Sequence, residues 1–149
     1  MIWFVAVDLK RIYEQGRYFS WPRPPHCLRC GNWQVWGHGY VERYFDGFDR
    51  ALPIKCYHCP VCGCVITLRP ESHFARIHSS KKTIRHHLFH RLKNGRWPPS
   101  SLSRSRLRHW LFNLRRRVHA FLTSSWRRGL WAGFEALLAK GQTPIARIA

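Results

Sequence analysis

Cys27-Leu28-Arg29-Cys30-Gly31 and Cys59-Pro60-Val61-Cys62-Gly63 decide how the first half of this chain folds. Each is a pair of cysteines two residues apart and followed by glycine, and 28 residues separate Cys30 from Cys59. Two intervening residues let a tight turn aim both sulfurs at one point. The following glycine supplies the positive φ that such a turn tends to require. Two such turns bring four thiolates into a tetrahedron, the ligand pattern of a structural zinc ribbon. Cys27, Cys30, Cys59 and Cys62 are therefore the expected ligands of one structural Zn²⁺.

The chain has six cysteines, so two are left over. Cys56 and Cys64 flank the second turn at spacings that the first turn does not repeat, and they read as small buried strand residues. His26 and His58 adjoin ligands and could substitute for them, although a histidine beside a ligating cysteine usually points elsewhere. A thioredoxin-like motif wants one C-x-x-C opening a helix in a βαβ frame, and no such alternation occurs. A disulfide framework belongs to an oxidising compartment, and no secretory signal is evident.

Charge divides the chain. Over its 149 residues the net charge is +19. Residues 1–74 carry 9 basic and 6 acidic side chains, whereas residues 75–149 carry 17 basic ones and a single acid, Glu135. Solubility alone would be served by mixed signs. The near absence of acids makes the second half the polyanion-facing part, with nucleic acid ahead of acidic membrane as partner. Ile2-Trp3-Phe4-Val5-Ala6-Val7 is far short of the roughly 20 apolar residues that span a bilayer. The expectation is a soluble cytoplasmic, nucleoid-associated protein.

Along the chain, residues 2–7 read as a strand, and Asp8 caps a short helix through Gly16 with Leu9, Ile12 and Tyr13 on one face. Trp21 to Pro25 is an extended, proline-stiffened approach to the first turn. Trp33–Phe45 reads as a strand interrupted by Gly37 and Gly39, a bulge signal. Asp46-Gly47 signals a hairpin, Ala51–His58 the return strand, and Cys64–Leu68 a third strand ended by Pro70. So small a sheet buries little, and metal binding should supply much of its folding free energy.

From Ser79 the period changes to that of a helix. Ile84, Leu88 and Leu92 recur every fourth residue after a cap at Ser79 or Ser80, and Asn94-Gly95 ends the run. Beyond the breaker Arg96-Trp97-Pro98-Pro99-Ser100, a long helix is expected over Leu102–Leu122, capped by Ser101 or Ser103. Leu107, Trp110, Leu111, Leu114, Val118, Phe121 and Leu122 share an arc of about 120° on it. Phe112 falls on its polar side. A third helix, Ser125–Lys140, closes at Gly141, with Gly129 and Gly133 each weakening it by about 1 kcal/mol. The expected organisation is thus α+β. A strand-and-helix lead-in (1–22) precedes a small antiparallel zinc ribbon (23–74), and a basic helical domain (79–141) of helix-turn-helix type follows.

In that domain Ser103, Arg104, Arg106, Arg108 and His109 are candidates to face bases in a major groove, since arginine bonds guanine O6 and N7 in pairs. Arg115, Arg116, Arg117, Lys81, Lys82 and Arg85 suit phosphates. The plainer reading is a basic surface helix that binds any polyanion. Catalysis has little to rest on. The seven acids show no Mg²⁺-binding arrangement, and His86, His87 and His90 on a basic helix read as surface residues rather than as a metal site. The chain reads as a binding protein, not an enzyme.

Pro25-His26-Cys27-Leu28-Arg29-Cys30-Gly31, Trp36-Gly37-His38-Gly39-Tyr40 and the run Cys59 to Pro70 resemble the zinc-ribbon heads of bacterial insertion-sequence transposases. Gly95-Arg96-Trp97-Pro98-Pro99 and Ser103 to Trp110 look like the helical part of small transposon-associated proteins that pair such a ribbon with a helix-turn-helix. The resemblance covers residues 1 to about 122. It implies zinc on the four named cysteines and binding to the double-stranded DNA of a transposon end or target, with a transposase or other mobile-element protein as a further partner. No transposase catalytic domain is included, so the implied role is that of an accessory factor or a truncated head. Two other readings stand beside it: a basic zinc-ribbon protein of RNA or the ribosome, with ribbon aromatics stacking on unpaired bases, and an interaction subunit that docks an acidic protein.

Overall fold

The computed structural model describes residues 1–123 and 125–148. They form two compact units, Met1–Lys81 and a second beginning at Lys82. In the first, β1 (Ile2–Val5), β2 (Trp36–Arg43), β3 (Leu52–His58) and β4 (Val65–Pro70) make one sheet in the order β1-β4-β3-β2. The pairs β2–β3 and β3–β4 are antiparallel, whereas β1 runs parallel to β4, with Ile2 opposite Thr67 and Val5 opposite Pro70. The strand expected at residues 2–7 thus adds a parallel edge to the three antiparallel strands, and the sheet is four-stranded and mixed. β1 covers the outer edge of β4, whose N–H and C=O groups would otherwise stand open.

Helix α1 (Leu9–Gln15) starts at Asp8, whose carboxylate accepts the Lys10 N–H at 2.9 Å, and ends at Gly16 with φ +58°. Its buried face, Leu9 and Ile12, joins Val5, Phe19, Val35, Leu52, Ile54, Ile66 and Leu68 in one core, with Cys27 and Cys59 also inside it. β2 does slip register between Gly37 and Tyr40, where its glycines stand. The Asp46-Gly47 pair, by contrast, does not make a two-residue hairpin. The link from β2 to β3 spans residues 44–51. Phe45 is buried there, the Asp46 N–H donates to the His78 carbonyl at 3.0 Å, and the Asp46 carboxylate accepts the Ser79 hydroxyl. Long-range bonds hold this loop, which a local turn rule cannot anticipate.

The second unit is helical: α2 (Lys81–Asn94), α3 (Arg104–Leu122) and α4 (Gly129–Ala139). α3 is capped by Ser103, whose hydroxyl accepts the Arg106 N–H at 3.3 Å. Its buried face carries Leu107, Trp110, Leu111, Leu114, Val118 and Leu122, and Ile84 and Leu88 of α2 and Phe134 and Leu137 of α4 are buried as well. Phe121, expected in this face, is exposed. Asn113 and Arg117 are buried instead, which widens the covered arc of α3 to roughly 180°. The segment after α4 explains the difference. Asn113 Nδ2 donates to the Ile145 carbonyl at 3.0 Å, and Arg117 Nη2 donates to Gln142 Oε1 at 2.7 Å.

Gly129 begins α4 at φ +82°, and Gly133 sits where α4 meets α3. A Cβ on Gly133 would lie 2.5 Å from Val118 Cγ2, so glycine here is a condition of close approach rather than a mere weakness. Gly133→Ala is expected to lower the stability of the second unit by about 1–3 kcal/mol, because a helical valine has little χ1 freedom to yield. Adding Val118→Ala should return part of that loss. Denaturant melts of the four proteins of the double-mutant cycle measure it, and additive effects would exclude the clash.

Candidate functional site

Two knuckles of the same construction carry the cysteines. In the first, the Gly31 N–H donates to the Cys27 carbonyl at 2.9 Å and the Cys27 N–H to the Asn32 carbonyl at 2.7 Å. In the second, the Gly63 N–H donates to the Cys59 carbonyl at 3.0 Å and the Cys59 N–H to the Cys64 carbonyl at 2.9 Å. Gly31 and Gly63 stand at φ +74° and +67°, the conformation that a side chain would strain. Arg23 steadies the approach to the first knuckle by donating Nε to the Val35 carbonyl at 3.1 Å, and its Nη2 bonds the same oxygen.

The four sulfurs of Cys27, Cys30, Cys59 and Cys62 lie within 4.8 Å of one another and could hold one metal ion. Cys27 Sγ is 3.6 Å from Cys62 Sγ, and Cys30 Sγ is 3.6 Å from Cys59 Sγ. A disulfide needs about 2.05 Å. A tetrahedron of thiolates, each about 2.3 Å from a central ion, has edges of about 3.8 Å. Among the described residues, this is the group of potential ligands close enough to share an ion, so His26 and His58 stand outside it. Cys56 and Cys64 are buried apart from it, and the Cys56 thiol faces Thr67 Oγ1 at 3.6 Å.

The electrostatics favour a cation. The backbone N–H groups of Cys62 and then Val61 bring the Cys59 thiol down to about 6 despite its burial. Those of Cys30 and Arg29 lower Cys27. At Cys62 the Cys64 N–H also favours the thiolate, but desolvation and the three neighbouring sulfurs outweigh it and push the thiol up to about 12. Four thiolates this close need a positive centre to coexist.

The basic candidates are divided by the fold. Arg104, Arg108, His109, Arg115 and Arg116 are exposed, and they share the outer side of α3 with Phe112, over whose ring Arg116 sits at 5.7 Å. Arg106 lies half-buried on the flank, and the Ser103 hydroxyl is used by the helix cap. Arg117 stands apart from this face. It is 8 % exposed, bonded to Gln142 and set over the Phe121 ring at 4.6 Å, so it is not part of the exposed face. Lys82 is exposed, while Arg85 Nη2 pairs with Glu135 at 2.8 Å. Glu135, the sole acidic residue after residue 74, is thus engaged by α2. Lys81 belongs to the first unit, near the rings of Phe4 and Phe74.

The expected tight turn before α3 is instead the nine residues 95–103, ordered by His90, whose Nδ1 donates to the Arg96 carbonyl at 2.8 Å. Nor is the histidine cluster wholly on the surface. His87 is buried, its Nδ1 donates to the Thr83 carbonyl at 2.7 Å, and its ring meets the Trp110 ring at 6.3 Å between centroids. In sequence His87 is one of three histidines on a single helix, and packing alone distinguishes it. No protein-family model, no curated protein and no solved structure matches this chain. Among the described residues, no helix is long and apolar enough to cross a membrane.

Proposed function

We propose that this is a zinc-stabilised DNA-binding protein of mobile-element type, in which an ion on the four cysteines holds the first unit together and α3 contacts a duplex. Zinc is favoured by an all-thiolate cage of tetrahedral size, since soft sulfur ligands without an open position suit a structural Zn²⁺. The observation that carries the DNA reading is the outer side of α3. Four arginines and two histidines stand exposed there on a helix of 19 residues, and no acid lies on it. Such a helix fits a major groove in width, and arginine serves both guanine edges and phosphates. The mobile-element setting rests on the resemblance of the knuckles and the helical stretch.

A salt series of fluorescence anisotropy titrations with duplex DNA tests this. Arg108→Gln/Arg115→Gln/Arg116→Gln should reduce the slope of log affinity against log salt by roughly 3, since each lost phosphate contact removes about 0.9. If the triple variant kept the parent slope, the duplex would not lie on this side of α3. Trp33 and Trp36, 82 % and 57 % exposed beside the first knuckle, favour a second reading in which the first unit stacks unpaired bases of RNA. A preference for structured or single-stranded RNA over duplex in the same titrations would select it.

A further inference from the structure

The first unit contains a second cationic feature besides the cysteine cluster. A cleft of about 620 Å³ is lined by Arg43 at the end of β2 and Tyr44 after it, Thr67 and Arg69 of β4, and Arg76 and His78 of the following loop. None of the described residues lining it is acidic. Arg69 is 7 % exposed, and its Nε and Nη2 are held by the carbonyls of Phe74 and Ile77 at 2.6–3.1 Å, so its charge is fixed in place. Burial and then the positive charge of Arg43 lower its affinity for a proton. Arg76 is exposed and stands at φ +60°, a conformation that residues other than glycine adopt rarely and that concentrates at ligand sites.

We propose that this cleft binds a phosphate group, gripped by Arg43 and Arg76 over the fixed charge of Arg69, with the Thr67 hydroxyl as a further donor. Arginine's planar fork matches phosphate oxygens, and a concave, low-dielectric wall strengthens the attraction. The exposed Tyr44 ring at the rim offers a face for a base, so the phosphate would come from a nucleic-acid backbone or from a free phosphorylated compound. The cleft's chemistry is independent of α3.

The test uses the full-length, metal-loaded protein labelled with ¹⁵N and titrated separately with inorganic phosphate and with a short single-stranded oligonucleotide. Saturable shifts of the Thr67, Arg76 and His78 amides are expected with phosphate. Arg43→Gln/Arg76→Gln should weaken them at least tenfold at an unchanged melting temperature. Arg76→Gly removes the backbone strain, so it should keep or raise the melting temperature and still lose binding, which a merely structural arginine would not do. Saturation by both probes assigns the site to a nucleic-acid backbone, and saturation by phosphate alone to a free compound. Arg115→Gln/Arg116→Gln should leave these shifts unaltered, which separates the cleft from the outer side of α3. Shifts that never saturate, or a double variant that binds like the parent, would overturn the assignment.

Discussion

Cys59→Ser is expected to abolish metal binding and with it the cooperative melting of the first unit. Cys59 is fully buried, its carbonyl and N–H close the second knuckle, and its sulfur faces Cys30 across the cage. A serine hydroxyl does not ionise near neutral pH, so the site would lose a ligand and a charge together. Structural zinc contributes on the order of 10–16 kcal/mol of apparent binding free energy in small domains, more than most domains hold in reserve. Metal analysis by mass spectrometry should fall from one zinc per chain to none. Circular dichroism should lose a transition that a chelator removes from the parent as well. Cys56→Ser serves as the comparison, because its thiol lies outside the cage, and it should retain the metal. A Cys59→Ser protein that kept both its ion and its melting transition would remove the basis of the zinc reading.

Arg69→Met should destabilise the first unit by about 3 kcal/mol, a drop in melting temperature of roughly 15 °C for a unit of this size. Methionine replaces the apolar stem but leaves the Phe74 and Ile77 carbonyls without their charged donor. It also removes the cation that sits over the Phe45 ring at 5.1 Å. A second readout separates the lost charge from lost packing. His73 is pushed down to about 4, first by burial and then by the charge of Arg69. Removing that charge should raise the titration midpoint of His73 in an NMR pH series, short of about 6.5 because the burial remains. A variant that melted with the parent would show that water satisfies those carbonyls.

The four-cysteine cluster was legible in the sequence because its information is local. A C-x2-C-G turn needs only five residues to set the direction of its sulfurs, and the repetition of the motif implied the shared ion. The start of α1 was legible for the same reason, and that of α3 to within the choice of Ser101 or Ser103, since Asp8 and Ser103 act on N–H groups two or three residues away. What escaped was non-local. Nothing within residues 2–5 indicates that they pair in parallel with residues 67–70, and Asp46-Gly47 looked like a hairpin turn because its bonds to residues 78 and 79 could not be foreseen. Arg117 and His87 had the composition of surface residues, and packing buried them.

By itself, the amino-acid sequence determined the identity and grouping of the four thiols, the helical period beyond residue 79 and the uneven distribution of charge. Each of these follows from residue type and short-range stereochemistry. Only the tertiary structure decided that β1 belongs to the sheet, that Arg117 leaves the outer side of α3, and that Arg43, Arg69 and Arg76 surround one cleft. These depend on which distant segments cover one another, and burial of polar groups is tolerated only where such segments supply the partners.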